Sequence, residues 1–219
     1  MHILQEKSQP SHVRMDAILS LMVAPSAQLV AVLVDILSDR SEDPDVRSAV
    51  ALTLGKLSSD EAFESLVAQA QSDNTTVRNY VLQALGNTGR EEAVPILIRA
   101  LQDPDNHVFA SAADSLGRIG DSAIPYLMEL LASGADDARC VAAWKLGEIQ
   151  AEESVGALAK AVQADKNLDV AALSIWAIGE IGVASPSVMD VLQWARRQAS
   201  PELHQRAAMA IKKIARHCN

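Results

Sequence analysis

Apolar residues return along this chain at helical spacing. With Val46 as position zero, apolar side chains follow at Val50, Leu54 and Leu57, that is at +4, +8 and +11, which is one face of a helix with 3.6 residues per turn. At +9 stands Gly55, and the same pattern starts again at Val77, Val108, Ala138 and Val170, each nine residues before a glycine. Those glycines, Gly55, Gly86, Gly117, Gly147 and Gly179, are spaced by 31, 31, 30 and 32 residues. A fixed period of this size marks an array of structural repeats. Degenerate copies flank the five, at Val13-Arg14 and at Leu203-His204, where Lys212 takes the glycine slot. Terminal copies of an array are expected to depart from the pattern because they cap it.

Between the repeating helices the pattern predicts second helices over 61–71, 91–102, 121–132, 152–163 and 186–198, and a first pair over 11–22 and 26–37 separated by Pro25. The junctions carry start signals. Ser41-Glu42-Asp43-Pro44 offers an acidic cap, a proline for the first turn and Asp45 near the positive end of the helix dipole. Asp103-Pro104-Asp105 and Ser200-Pro201-Glu202 repeat it, with weaker forms at Ser72-Asp73-Asn74 and Asp136-Asp137. Pro95 and Pro125 fall in first turns, where a missing N–H is tolerated. No stretch alternates as a strand would, so the chain is expected to be all-α, one repeat domain over 1–219 with caps at about 1–40 and 200–219.

The slots at +5 and +7 of the repeating helix are mostly small, as at Ala51 and Thr53 or Ala113 and Ser115, although Lys145 stands among them. A helix with small residues beside its apolar stripe is packed on more than one side. Glycine inside a helix costs about 1 kcal/mol against alanine. Its recurrence implies either that a neighbouring backbone passes too close for a side chain or that the helix ends just beyond.

Composition sharpens this picture. Apolar residues make up 49% of the chain and aromatics only 3%, so the core is built from Ala, Leu, Val and Ile. A formal charge of −9 argues against a nucleic-acid surface over most of the molecule. From Trp194 onward, however, six basic residues face one acid, Glu202, so an acidic body carries a basic end: a solvated cap, or a docking patch for an acidic partner. Two cysteines in different repeats fit a reducing, cytoplasmic compartment. The most apolar run, Leu29 to Leu37, has Asp35 inside it and is too short for membrane insertion.

Asp43-Pro44-Asp45-Val46-Arg47, continuing to Leu54-Gly55-Lys56-Leu57, and Val77-Arg78, continuing to Ala84-Leu85-Gly86-Asn87-Thr88-Gly89, resemble HEAT repeats of the short type found in the phycobilisome (PBS) lyase HEAT-like family, related to E/F-type phycobilin lyases. The resemblance runs from about Ser11 to Ala215. It implies a right-handed α-solenoid, or superhelix, of about six to seven short helical hairpins, with the Val-Arg helices lining its concave side. It also implies a ladder in which Arg14, Arg47, Arg78 and Arg139 pair with nearby acids between repeats. Phe109, Ala171 and His204 depart from that pattern and would interrupt the ladder.

Given that fold, slots +2, +3, +6 and +10 would point to the concave surface. The candidates for partner or ligand binding are Tyr80, Gln83, Asp114, Cys140, Trp144, Glu148, Leu173, Trp176, Glu180, Arg206 and Met209. Trp144 and Trp176 hold the same +6 slot of adjacent repeats, Met209 takes it in the next, and Cys140 and Leu173 lie about one turn before the tryptophans. Large apolar residues in a solvent-facing slot point to an interaction surface; the bland alternative is that curvature buries them against each other. Trp194, on a second helix, is assigned to the core. Cys140 is expected to be a small apolar residue unless a base activates it. Glu148 and Glu180 share the +10 slot, as two carboxylates for acid–base work or as solvated helix-end acids.

No residue is assigned a catalytic role. The histidines, His2, His12, His107, His204 and His217, lack metal-ligand spacing, and no nucleotide or nucleophile motif is present. His217-Cys218 is a weak cue for metal or cluster binding. Three functions stay open: a scaffold that grips a partner protein in its groove without a cofactor; a bilin lyase-related factor that attaches or detaches a bilin on a phycobiliprotein, with the bilin as ligand; and a partner of an A-type iron–sulfur carrier.

Overall fold

The computed structural model describes residues 4, 6–21, 26–57 and 59–217. The break expected at Pro25, together with His2, Cys218 and the side chain of His217, lies outside the described residues. The described chain is helical and falls into two compact units, Met1–Ile119 and Gly120–Asn219. The first unit carries α1 (Ser11–Leu21), α2 (Ala27–Ser38), α3 (Pro44–Leu54), α4 (Asp60–Gln69), α5 (Thr75–Asn87), α6 (Val94–Ala100) and α7 (Asn106–Ile119). The second carries α8 (Ile124–Ser133), α9 (Asp136–Glu148), α10 (Val155–Ala164), α11 (Leu168–Ile181), α12 (Pro186–Arg196) and α13 (Pro201–His217).

Within each unit the helices lie in two layers. The repeating helices pack on one another in order, α1 on α3, α3 on α5 and α5 on α7 in the first unit, α9 on α11 and α11 on α13 in the second. The intervening helices form the other layer, with α2 on α4, α8 on α10 and α10 on α12. This is the α-solenoid arrangement. The zero, +4 and +8 residues seal each layer to the other: Val46, Val50, Leu54, Val77, Val81, Leu85, Val170 and Ile178 are buried.

Local chemistry explains where the elements begin. Asp43 accepts the Asp45 N–H at 2.8 Å, Asn74 that of Val77 at 3.1 Å, Asp105 that of His107 at 2.8 Å and Asn167 that of Asp169 at 2.8 Å. Each satisfies an otherwise unpaired N–H of the first turn. Three expected starts come out differently. The helices expected from Glu91 and Asp121 begin as 3-10 turns, Glu91–Ala93 and Gly120–Ala123, and become α-helical only at Val94 and Ile124. The third is at Glu152, where a 3-10 turn over Glu152–Ser154 precedes an α-helix that begins at Val155. At the first two, Pro95 and Pro125 have no N–H to bond the carbonyls four residues back; the turn at Glu152–Ser154 closes in the same way without a proline.

The glycine slots are places where two backbones meet. A Cβ on Gly55 would lie 2.7 Å from the carbonyl oxygen of Ala84 and 2.8 Å from its Cα. On Gly86 it would lie 2.5 Å from the Cβ of Ser115, and on Gly147 2.8 Å from the Cα of Ala177. Every partner is the small +7 residue of the next repeating helix, so +9 and +7 are one contact seen from two sides. Three residues beyond the glycine the chain turns into the left-handed region, at Gly89, Gly120 and Gly182 and, in the same slot, at Gln150.

In four places an arginine binds one repeat to the next. Arg78 grips Asp103 with Nε and Nη2 at 2.9 and 3.1 Å while its Nη1 donates to the carbonyl of Ser72 at 2.8 Å. Arg139 does the same to Asp165, at 2.8 Å through both nitrogens, and to the carbonyl of Gly134 at 2.9 Å. Arg14 forks onto Glu42 at 2.6 and 2.7 Å, with both side chains almost fully buried. Arg47 meets an amide in place of an acid, Oε1 of Gln69 at 2.9 Å. Asp103 and Asp165 also accept the N–H of Asp105 and Asn167, so each closes the turn that launches the following helix.

These contacts depress the acids. Hydrogen bonds from Arg14 lower Glu42 against the opposing effect of burial. Burial pushes Asp103 up, and the bonds from Arg78 and from the Asp105 N–H, with the Arg78 charge, together more than reverse it. Arg139 lowers Asp165 and is itself raised by it.

Two outcomes follow from this geometry. Gly55→Ala is expected to lower the melting temperature, because overpacking against the Ala84 backbone costs about 1–3 kcal/mol and exceeds the gain of about 1 kcal/mol in helix propensity. Gly156→Ala, with nothing within 4 Å of the added Cβ, is expected to raise it; thermal melts followed by circular dichroism decide, and equal shifts would refute the close-approach account. In the second test, depressed carboxyls stabilise the fold fully above the unfolded carboxyl range near about pH 4, and that stability is lost as pH falls through the lower folded values. The melting temperature is therefore expected to be flat above about pH 5 and to fall in acid. Asp103→Asn with Asp165→Asn should flatten the acid limb, and an unchanged slope would place the acid sensitivity elsewhere.

Candidate functional site

The +6 slot is the most exposed apolar position of the repeat. Among the described residues four large apolar side chains are exposed, and three of them hold this slot: Leu19 at 60%, Trp144 at 38% and Met209 at 64%. The fourth, Leu168, begins α11. The slot faces out because +7 and +9 on either side of it are consumed by the close helix contacts. Trp176, in the same slot of α11, is half-buried. Its ring edge lies against Gly147, where an added Cβ would come within 2.8 Å of Cζ3. The missing side chain at +9 thus also makes room for the neighbouring aromatic ring.

On α9 the surface is built around a lysine that the sequence pattern did not assign to the site. Lys145 stands in the small +7 slot, is only 3% exposed, and places its Nζ 3.8 Å from the centroid of the Trp144 ring. The same Nζ donates to Glu148 Oε2 at 2.8 Å. A cation held beneath the indole fixes Trp144 at the surface. The available signal was the long charged residue in a slot that is small in the other copies. Cys140, about one turn earlier, is half-buried, and burial followed by the nearby charges of Asp169 and Asp137 pushes its thiol up to about 11. A thiol raised in this way stays protonated at neutral pH.

Between α11 and α13 lies an open groove of about 870 Å³. Trp176 and Met209 form its apolar part, and Gly179 and Ala210 bring the backbones together, a Cβ on Gly179 falling 3.0 Å from Ala210. Glu180 is ion-paired with Lys213, and Arg206 donates from Nε to Glu202 at 3.1 Å. Glu148 and Glu180 are therefore each engaged by a lysine. Leu173 is half-buried on α11, and Trp194, on α12 in the other layer, is half-buried as well.

The structure thus gathers Cys140, Trp144, Glu148, Leu173, Trp176, Glu180, Arg206 and Met209 on three neighbouring helices of the second unit. Tyr80, Gln83 and Asp114 lie on α5 and α7 of the first unit. There Gln83 donates to Ser111 Oγ at 3.2 Å, and Ser111 bonds Asn79, so the amide of Gln83 is committed to joining two helices. Asp114 is exposed and Tyr80 half-buried. Among the described residues no group of three or more His, Cys, Asp or Glu side chains is placed to hold a metal ion, and no helix is long and apolar enough to cross a membrane.

A family model for HEAT repeats matches residues 2–79, 63–140 and 124–212. No curated protein matches the sequence. Among solved structures, the archaeal HEAT-like repeats protein from Thermococcus onnurineus NA1 is similar at 12% identity with a TM-score of 0.58, over 99% of this chain and 95% of that one. The complex of CpcE and CpcF of phycocyanin lyase from Nostoc sp. PCC7120 gives 21% identity and a TM-score of 0.49, over 96% of this chain and 85% of that one. Human deoxyhypusine hydroxylase gives 19% and 0.45, over 98% and 94%. At these identities the likeness is one of fold.

The two tryptophans are expected to respond differently to truncation. Trp144→Ala, at an exposed position, should change stability by well under about 1 kcal/mol. Trp176→Ala removes a ring packed on Gly147 and should cost on the order of 2 kcal/mol, short of the 3–5 kcal/mol of a fully buried aromatic. Chemical denaturation of both variants checks this, and equal losses would mean that both rings serve the core.

Proposed function

Because the chain belongs to the HEAT-repeat family, we propose that it is a non-catalytic scaffold that grips a partner protein on the face formed by α9, α11 and α13. One observation carries this reading: the slot that holds Leu19, Leu52, Gln83 and Asp114 in the first unit holds the larger Trp144, Trp176 and Met209 in three successive repeats of the second, with Trp144 and Met209 exposed. Tryptophan, methionine and arginine are enriched where proteins bind one another, and a few large anchors carry most of the affinity. The chemistry of the face agrees with binding in place of turnover. Both candidate carboxylates are held by lysines, and the thiol of Cys140 is raised.

A second reading, a factor that handles a bilin on a phycobiliprotein, rests on the groove itself. A flat tetrapyrrole with acidic side arms would lie against Trp176 with its carboxylates toward Arg206 and Lys213. The iron–sulfur reading has no such support, since Cys140 is not activated and Cys218 lies outside the described residues.

Affinity capture from source-cell extract with the wild type beside Trp144→Ala/Met209→Ala tests the proposal. A colourless protein retained at least tenfold better by the wild type is the expected result. A coloured phycobiliprotein or free bilin retained in the same way would favour the second reading. Equal retention by both proteins would move the binding surface off this face.

A further inference from the structure

The groove between α11 and α13 has a charge pattern that specifies its occupant. Along α13, Arg206, Met209, Lys212, Lys213 and Arg216 fall at helical spacing and face it. Its two acids are already engaged, Glu180 by Lys213 and Glu202 by Arg206. Lys212 and Arg216 are exposed and have no ion pair among the described residues. An apolar centre is therefore flanked by uncompensated positive charge, on a chain whose net charge is −9. Surface pairs such as Arg206–Glu202 contribute little, so an incoming carboxylate can compete for them.

Resting on the scaffold reading above, we infer that this groove docks an acidic amphipathic helix of the partner protein. The helix seats one large apolar side chain between Trp176 and Met209. Its carboxylates meet Arg206 on one side and Lys212 and Arg216 on the other. Lys212 and Arg216 stand three and seven residues from Met209, about 4.5 and 10.5 Å along the axis at 1.5 Å per residue. A helix lying alongside therefore presents acids three to four and seven residues from its anchor, the spacing of helix-in-groove recognition. Lys212 also occupies the slot that is glycine at Gly55, Gly86, Gly147 and Gly179.

The test uses the full chain and a fluorescein-labelled helical peptide with a central leucine and glutamates three and seven residues to either side, read by fluorescence anisotropy. Saturable binding is expected, weakened at least tenfold by Lys212→Glu/Arg216→Glu, by Met209→Ala and by replacing the peptide glutamates with glutamine, and weakened by added salt. Both charge variants alter exposed side chains, and unchanged helicity and melting confirm that they fold. Binding indifferent to the charge reversals or to the glutamine peptide overturns the inference. So does a single-stranded oligonucleotide or an anionic vesicle bound through Lys212 and Arg216 with no dependence on Met209, which would make the patch a general polyanion site. Self-association of the chain that the charge reversals abolish would assign the groove to a second copy instead. If the peptide fails while partner capture still depends on Trp144 and Met209, the acidic helix falls and the scaffold stands; if capture is indifferent as well, both fall.

Discussion

Two helices can lie with their backbones in contact only if neither places a side chain between them, and this constraint organises each unit. At Gly55 on Ala84, Gly86 on Ser115, Gly147 on Ala177 and Gly179 on Ala210, a glycine at +9 receives the small +7 residue of the following helix. The contact fixes the rotation of every repeating helix about its own axis. With that rotation set, the zero, +4 and +8 residues must enter the core, and the +6 residue must come to the surface. The binding face is thus a consequence of the packing rule.

The arginines add a second, directional constraint. Each reaches back to a carbonyl of the preceding loop and forward to the loop of the next repeat, so one side chain holds three segments in place. A guanidinium suits this because its fork satisfies a carboxylate with two parallel bonds and keeps a donor for the carbonyl. Burial of Arg14 with Glu42 makes the first of these pairs costly to break from one side, since the remaining charge would be left without a partner. Where Ala171 takes the arginine slot, α11 and α13 meet at Gly179 on Ala210 and through the ion pair of Glu180 with Lys213.

Against this regular frame the second unit departs in a few side chains, and the departures lie together. Lys145 takes a slot made for a small residue and holds Trp144 from below; Trp176 leans over Gly147; Met209 stands exposed beside a row of cations. Trp144 and Met209 leave much of their apolar surface outside the packing of the repeat. Their placement on consecutive helices makes sense for a surface that meets something else, with aromatic and thioether anchors in the middle and charge at the edges.

The amino-acid sequence by itself determined the repeat, its period, the helix pairs and several of their caps, because those depend on local spacing and on residues such as Asp43, Asn74 and Asp105 acting within one turn. It also located the tryptophans and Met209 in a common slot, since a periodic chain carries its own alignment. Several things were decided only by tertiary structure. Trp144 and Trp176 occupy equivalent slots, yet one is exposed over a lysine and the other rests on Gly147, a difference set by neighbours in the next helix. Gln83 and Glu180 looked like free surface groups, and contacts with Ser111 and Lys213, 28 and 33 residues away, commit them. The α-helical starts moved to Val94, Ile124 and Val155, each behind a 3-10 turn that pattern alone does not register. The groove between α11 and α13, with its apolar centre and cationic edge, exists only once two helices distant in sequence are brought side by side.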